Sequence, residues 1–161
     1  MKKLVVTALT MALILCSCGE MKNISFSEMS AEMKNASGRE LTDKDIKEDD
    51  CYIIGISEKT YKSCVESAAV FSPAFSSNGF EIILIKAKTS IDAERLCAEM
   101  KSNYEPAPCD PAENTEFLYY RDYVLFAKGG LSDTDRVSAA FLRLLKNNTC
   151  VKNTYKFVSF Y

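Results

Sequence analysis

Seven cysteines and no histidine define the chemistry open to this chain of 161 residues. Without imidazole there is no Ser-His-Asp or Cys-His nucleophile, no His-ligated zinc and no side chain of the usual general-base type. Thiols therefore head the candidates. Cys16 and Cys18 stand at the end of an N-terminal leader, and Cys51, Cys64, Cys97, Cys109 and Cys150 follow it. Their spacing contains no CxxC, which excludes a zinc ribbon, an iron–sulfur run and a thioredoxin motif. Five is an odd count, so at least one thiol stays unpaired in any compartment, and the pairing of the others is open. A reactive thiol needs a base, a cation or a helix N-terminus to lower its pKa. Cys97 falls on the apolar stripe of a helical pattern, and Cys51 and Cys64 lie in apolar surroundings, so these three read as buried and inert. Cys109 sits in Pro106-Ala107-Pro108-Cys109-Asp110-Pro111, a loop expected to meet solvent. It is the thiol to test for a redox or enzymatic role, although Asp110 and Glu105 place negative charge beside it and disfavour the thiolate. Its other readings are a spectator, or a staple to Cys97 or Cys150.

Three further clusters carry possible chemistry. Asp43, Asp45, Glu48, Asp49 and Asp50 could face a divalent cation, but their spacing is not that of an EF-hand loop and the glycine is missing. A solvated acidic face is the expectation, and no metal or other cofactor is assigned. Gly129-Gly130-Leu131-Ser132 could offer backbone N–H groups to an anion. It lacks the lysine and glycine spacing of a phosphate loop, so a strand-to-helix turn with Ser132 as N-cap is expected. Tyr119, Tyr120 and Tyr123 around Arg121 could form a sugar or peptide platform, but alternation along a strand assigns them to packing. No catalytic residue is assigned.

The leader is more informative. Lys2 and Lys3 precede an apolar run from Leu4 to Leu15. Twelve residues of helix reach about 18 Å, short of the roughly 30 Å hydrocarbon core, so the run fits a secretory signal and not a membrane span. Leu15-Cys16-Ser17-Cys18 has the form of a bacterial lipobox, with small Ser17 before the acceptor. Cys16 would require bulky Leu15 in that place, so the lipid is assigned to Cys18. The expected organisation is a signal peptide at 1–17, a lipidated cysteine and tether at 18–23, and one domain at 24–161.

That domain has an ordinary globular composition, with 47% hydrophobic and 26% charged residues. A formal charge of −2 argues against a nucleic-acid partner. Ser25-Phe26-Ser27-Glu28 fits a capping box before a helix to Ala36, which Ser37-Gly38 stops. Leu41 to Asp50 reads as a turn, Cys51 to Ile56 as a short strand, and Tyr61 to Phe71 as an extended strand. Phe80 to Ala87 is the clearest strand: Ile82-Ile83-Leu84-Ile85 is apolar on both faces and belongs at the centre of a sheet. An aspartate at Ile83 is accordingly expected to unfold the chain. Ser90 to Asn103 reads as a helix capped by Ser90, Glu116 to Ala127 as one strand, and Ser132 onward as a helix ending at Asn147-Asn148. Val151 to Phe160 reads as a weak edge strand. The order predicts an α+β two-layer sandwich, with an antiparallel or mixed sheet of about four to five strands and helices on one face.

A lipobox, a leading helix, Tyr52-Ile53-Ile54-Gly55-Ile56, then Glu81-Ile82-Ile83-Leu84-Ile85-Lys86-Ala87-Lys88 before an Ala-containing helix, and Tyr123-Val124-Leu125-Phe126 before a last helix, follow in order. Over roughly Phe26 to Leu145 this resembles the bacterial lipoproteins grouped as domain of unknown function 4358. The resemblance implies an envelope lipoprotein and carries over no activity or site residue. Together these features predict a lipid-anchored protein facing outside the cytoplasm, a non-enzymatic binding or scaffold module for an envelope protein or small ligand. A thiol-dependent enzyme or redox module is the alternative.

Overall fold

The computed structural model describes residues 24–145 and the backbone at 155–157. Cys16, Cys18, the whole leader and Cys150 lie outside the described residues. Helix α1 (Phe26–Ser37) starts as its sequence dictates, with the Ser25 hydroxyl accepting from Glu28 N–H and the Glu28 carboxylate returning to Ser25 N–H at 2.9 Å. It stops at Gly38, whose φ of 65° is the left-handed conformation that glycine tolerates best. Strand β1 (Thr42–Asp45), a 3-10 helix (Glu48–Ile54), α2 (Glu58–Cys64), β2 (Val65–Ser72), β3 (Glu81–Ala87), α3 (Ser90–Asn103), β4 (Asn114–Tyr120), β5 (Tyr123–Gly129) and α4 (Leu131–Leu145) follow. A three-residue β6 (Tyr155–Phe157) adds to the edge.

The strands form one antiparallel sheet in the order β1-β2-β3-β5-β4-β6. The α+β class and the antiparallel sheet match the sequence reading, and β3 takes the central place assigned to it. The helices, expected on one face, cover both. Alternation along β5 shows why: Tyr123, Leu125 and Ala127 pack with α1 and α4, while Val124 and Phe126 pack with α3 and the 3-10 helix. A sheet apolar on both sides needs cover on both, and the molecule has three layers.

Five local readings are corrected. Cys51 to Ile54 closes the 3-10 helix instead of forming a strand: Cys51 and Ile54 are buried and Tyr52 and Ile53 exposed, a spacing of three and not two. Tyr61 to Cys64 completes α2, whose N-cap Ser57 accepts from Thr60 N–H, and extended chain starts only at Val65. The strand read from Glu116 to Ala127 is a hairpin, turning at Arg121 and Asp122 with Arg121 at φ 55°. Helix α4 begins at Leu131, so Ser132 lies inside its first turn. The Gly130 carbonyl accepts from the N–H groups of Asp133 and Thr134. Likewise Thr89, not Ser90, caps α3.

Beneath α4 runs a polar seam. Buried Glu116 accepts from Ser138 Oγ and from Asn114 Nδ2 at 3.1 Å, and Asn114 Nδ2 also reaches Thr134 Oγ1 at 2.7 Å. A buried carboxylate survives only when supplied with donors in this way. At the opposite edge β1 is short, exposed and charged, which discourages pairing with a further strand.

Candidate functional site

The charged ends of β3 and β5 meet the C-terminus of α3 and the end of the 3-10 helix around a cleft of about 220 Å3. Its position follows from register. Glu81 opens β3, Lys128 lies opposite it on β5, and Ile83 and Phe126 come next along the same face. Phe117 of β4 pairs with Phe126 and widens the floor. Helix α3 runs antiparallel to β3 and delivers Met100, Asn103 and Tyr104 to the wall. Asn103 Nδ2 donates to the Gly55 carbonyl at 3.0 Å, tying α3 to the 3-10 helix.

Three rings share the floor. Tyr104 lies 5.6 Å from Phe117 and 5.4 Å from Phe126, and Phe117 lies 5.0 Å from Phe126, at interplanar angles of 59–70°. These are tilted, edge-to-face contacts that fix ring orientation before any ligand arrives. Tyr52, 72% exposed, and Ile53 stand at the mouth.

The charged end is asymmetric. Lys128 Nζ is 3.1 Å from Asp110 Oδ2, and Asp110 Oδ1 accepts from Ala112 N–H at 3.0 Å. Burial works against the lysine's charge, but Glu81 and Asp110 outweigh it and hold Lys128 above the usual lysine range. Glu81 has no hydrogen bond among the described residues. Burial pushes its carboxyl up, Lys128 pulls it partly back and Asp110 adds to the rise. Asp110 is thus bonded directly to Lys128, whereas the Glu81 carboxylate in the cleft feels that lysine only through space.

The residues singled out from sequence lie elsewhere. Cys51, Cys64 and Cys97 are buried free thiols and Cys109 is an exposed one, with no disulfide among these four. Burial pushes Cys97 up to about 11 against the opposing pull of Lys101, and burial, then Glu58, raises Cys51. No base is hydrogen-bonded to Cys109 among the described residues. Of the four described cysteines, Cys109 is expected to react first with a thiol reagent at pH 8. Cys97, with its thiolate scarce and its sulfur covered, should react at least about a hundredfold more slowly until the fold opens. Peptide mass mapping over time checks this, and equal rates for the two would contradict the burial pattern.

The acidic run is dispersed: Asp43 pairs with Lys34 at 3.5 Å, Asp50 with Lys44 at 3.3 Å and Glu48 with Lys62 at 2.6 Å. No three metal-ligating groups converge among the described residues. The glycine junction is already served by the chain's own acids. Leu131 N–H faces Glu113 Oε2 at 3.4 Å, and Asp133 accepts from Arg39, Arg136 and Asn78. Gly129, at φ 144°, leaves no room for a side chain, since a Cβ would lie 2.7 Å from the Phe80 ring. The tyrosines do not form one platform. Tyr119 packs on the α3 face and Tyr120 and Tyr123 on the other, where the buried Tyr123 hydroxyl donates to the Ile24 carbonyl at 2.8 Å.

Glu81, Lys128 and Tyr104 escaped the sequence reading. The available signal was a charge at the terminus of each of two otherwise apolar strands, which becomes a site only through the β3–β5 register. Comparison with protein-family models, with curated proteins and with solved structures finds no match for this chain.

Proposed function

We propose that the protein is a non-enzymatic binding module, anchored outside the cytoplasm at a bacterial membrane by a lipid on Cys18, with the cleft beside Tyr104 as its ligand site. The cleft carries this reading. It is a formed concavity with ordered aromatic walls and a few convergent polar groups, the usual composition of a small-molecule site. The thiol alternative gains nothing comparable, because three of its sulfurs are buried and Cys109 lacks a hydrogen-bonded base among the described residues. The lipobox supports the anchor, and the resemblance to bacterial lipoproteins points the same way. Acyl chains bind a bilayer by about 0.8 kcal/mol per buried CH2, so two or more hold a domain in which no helix among the described residues is long and apolar enough to cross a membrane.

Intact mass spectrometry of membranes from a bacterial host expressing the full chain tests the anchor. The expected product begins at Cys18 and carries acyl mass, and Cys18→Ala is expected to leave the leader uncut and the chain unacylated. A soluble product without acyl mass, or one starting at another residue, would refute it.

A further inference from the structure

Resting on that reading, we infer that the cleft selects small organic cations, protonated or quaternary amines, with the ammonium beside Glu81 and its substituents on the aromatic floor. Three independent features favour positive charge. First, the charged groups around the cleft sum to an excess of acid. Glu81 comes from β3, Glu105 and Asp110 from the loop after α3, and Lys128 from β5, while the lining residues of β4, α3 and the 3-10 helix carry no charge. Lys128 is already answered by Asp110, so an anion would have to displace that carboxylate.

Second, α3 ends at the cleft. Its last-turn residues Met100 and Asn103 line the wall, and the terminal carbonyls of a 14-residue helix present partial negative charge there. Third, the lining is rich in ring faces and edges. Tyr52, Tyr104, Phe117 and Phe126 can lay π-density against an ammonium, an attraction that grows when water is excluded. The volume limits the guest: at about 30 Å3 per water, 220 Å3 corresponds to roughly seven waters, which suits a compact amine and not a peptide.

The burial that raises the Glu81 carboxyl fits this role. A half-buried carboxylate only partly offset by Lys128 is a standing cost to the empty protein, which a cationic guest relieves. Its folded pKa lies above the unfolded value, so the folded state holds this proton more tightly and stability falls as pH rises through that window. Glu81→Gln removes the cost, so the variant is expected to fold at neutral pH at least as stably as the parent.

The experiment is an NMR titration of the acylated full chain, solubilised in detergent. Four probes that share one phenyl ring are compared: benzyltrimethylammonium, benzylamine, benzyl alcohol and benzoate. Both cations are expected to shift resonances of Ile83, Met100 and Phe126 and to bind at least tenfold more tightly than the alcohol. Glu81→Gln should remove that preference. Cation affinity should also fall as pH is lowered and Glu81 takes up its proton, and Glu81→Gln should flatten that profile. Benzoate or benzyl alcohol binding in the cleft as tightly as the cations would overturn the cation selectivity and leave the binding reading standing. Cation binding indifferent to Glu81→Gln would overturn it equally. Failure of all four probes to shift cleft resonances would overturn both.

Discussion

Leu84→Asp is expected to leave the protein unfolded at 25 °C. Leu84 is the middle residue of the central strand and fully buried, paired with Ala69 of β2 and Leu125 of β5. Over it lie Met29 and Met33 of α1 and Val137 and Phe141 of α4. No cation belongs to that cluster, so a carboxylate there is desolvated without a partner. An unpaired buried charge costs at least several kcal/mol, comparable with the total 5–15 kcal/mol that holds a typical domain together. Leu84→Ala supplies the graded comparison: it leaves a cavity without adding charge and should cost about 2–5 kcal/mol. Circular dichroism melts distinguish the outcomes, and a cooperative Leu84→Asp transition within a few degrees of the parent would contradict the placement of β3. The same change at Ile83 is a milder test than the sequence alone suggests, because Ile83 lines the cleft and its new carboxylate lies close to water.

Asp133→Ala should have the next largest effect, a loss of about 2–3 kcal/mol, because charge-assisted hydrogen bonds at a nearly buried carboxylate are among the stronger polar contacts. Asp133 sits in the first turn of α4 and ties it to two other segments, with a third partner on α4 itself. Arg39, just after α1, reaches Oδ2 at 2.6 Å, Asn78 of the β2–β3 loop reaches Oδ2 at 3.2 Å, and Arg136 reaches Oδ1 at 2.6 Å. Arg39 also lies over the Phe80 ring at 5.0 Å, and Arg136 continues to the Ser37 carbonyl. Losing the carboxylate therefore loosens the contact of α1 with α4 as well as the loop.

Burial pushes the Asp133 carboxyl up, but the hydrogen bonds from Arg39, Asn78 and Arg136 together hold it below its ordinary value. For a depressed acid the stabilisation is present above the unfolded pKa and is lost as pH falls through the folded one. The gap in melting temperature between parent and Asp133→Ala should therefore be full at pH 7 and shrink below about pH 4. Arg143→Ala, which breaks an exposed pair with Glu32, is the contrast and should cost about 0.5 kcal/mol or less. A pH-independent gap for Asp133→Ala would show that lost packing, and not the ion network, is responsible.

What the sequence made legible was local. The Ser25–Glu28 capping box, the Gly38 stop, the α3 stripe of Ala93, Leu96, Cys97 and Met100, and the continuous apolar run of β3 each carry their signal within a turn or two of chain. The hairpin at Arg121 and Asp122 was missed because its left-handed position is taken by Arg121, with no glycine or asparagine to mark it. The left-handed Arg121 is imposed by the ladder from Asn114↔Gly129 to Tyr120↔Tyr123. Helices on both faces were missed even though the continuous apolar runs of β3 and β5 call for cover on each side, because neither run says which helix supplies it. The cleft was illegible for a related reason. Glu81 and Lys128 are far apart in sequence and become neighbours only because β5, not β4, pairs with β3.

The hydrogen bond from Tyr123 to the Ile24 carbonyl holds the start of the described chain at the Tyr123 end of β5. Tyr123 begins β5 and Lys128 stands near its far end, about 17 Å along the strand at some 3.4 Å per residue. On the proposed anchoring, residues 18–23 leave from the Tyr123 end and span at most about 20 Å when fully drawn out. The cleft then opens at the pole farthest from the bilayer, with a standoff that can exceed several Debye lengths of about 8 Å. At that distance the anionic headgroups neither concentrate organic cations at the cleft nor compete with Glu81 for them. On the proposed anchoring and ligand class, the cleft would sample amines in the medium beyond the membrane surface, and its occupancy should be insensitive to lipid charge.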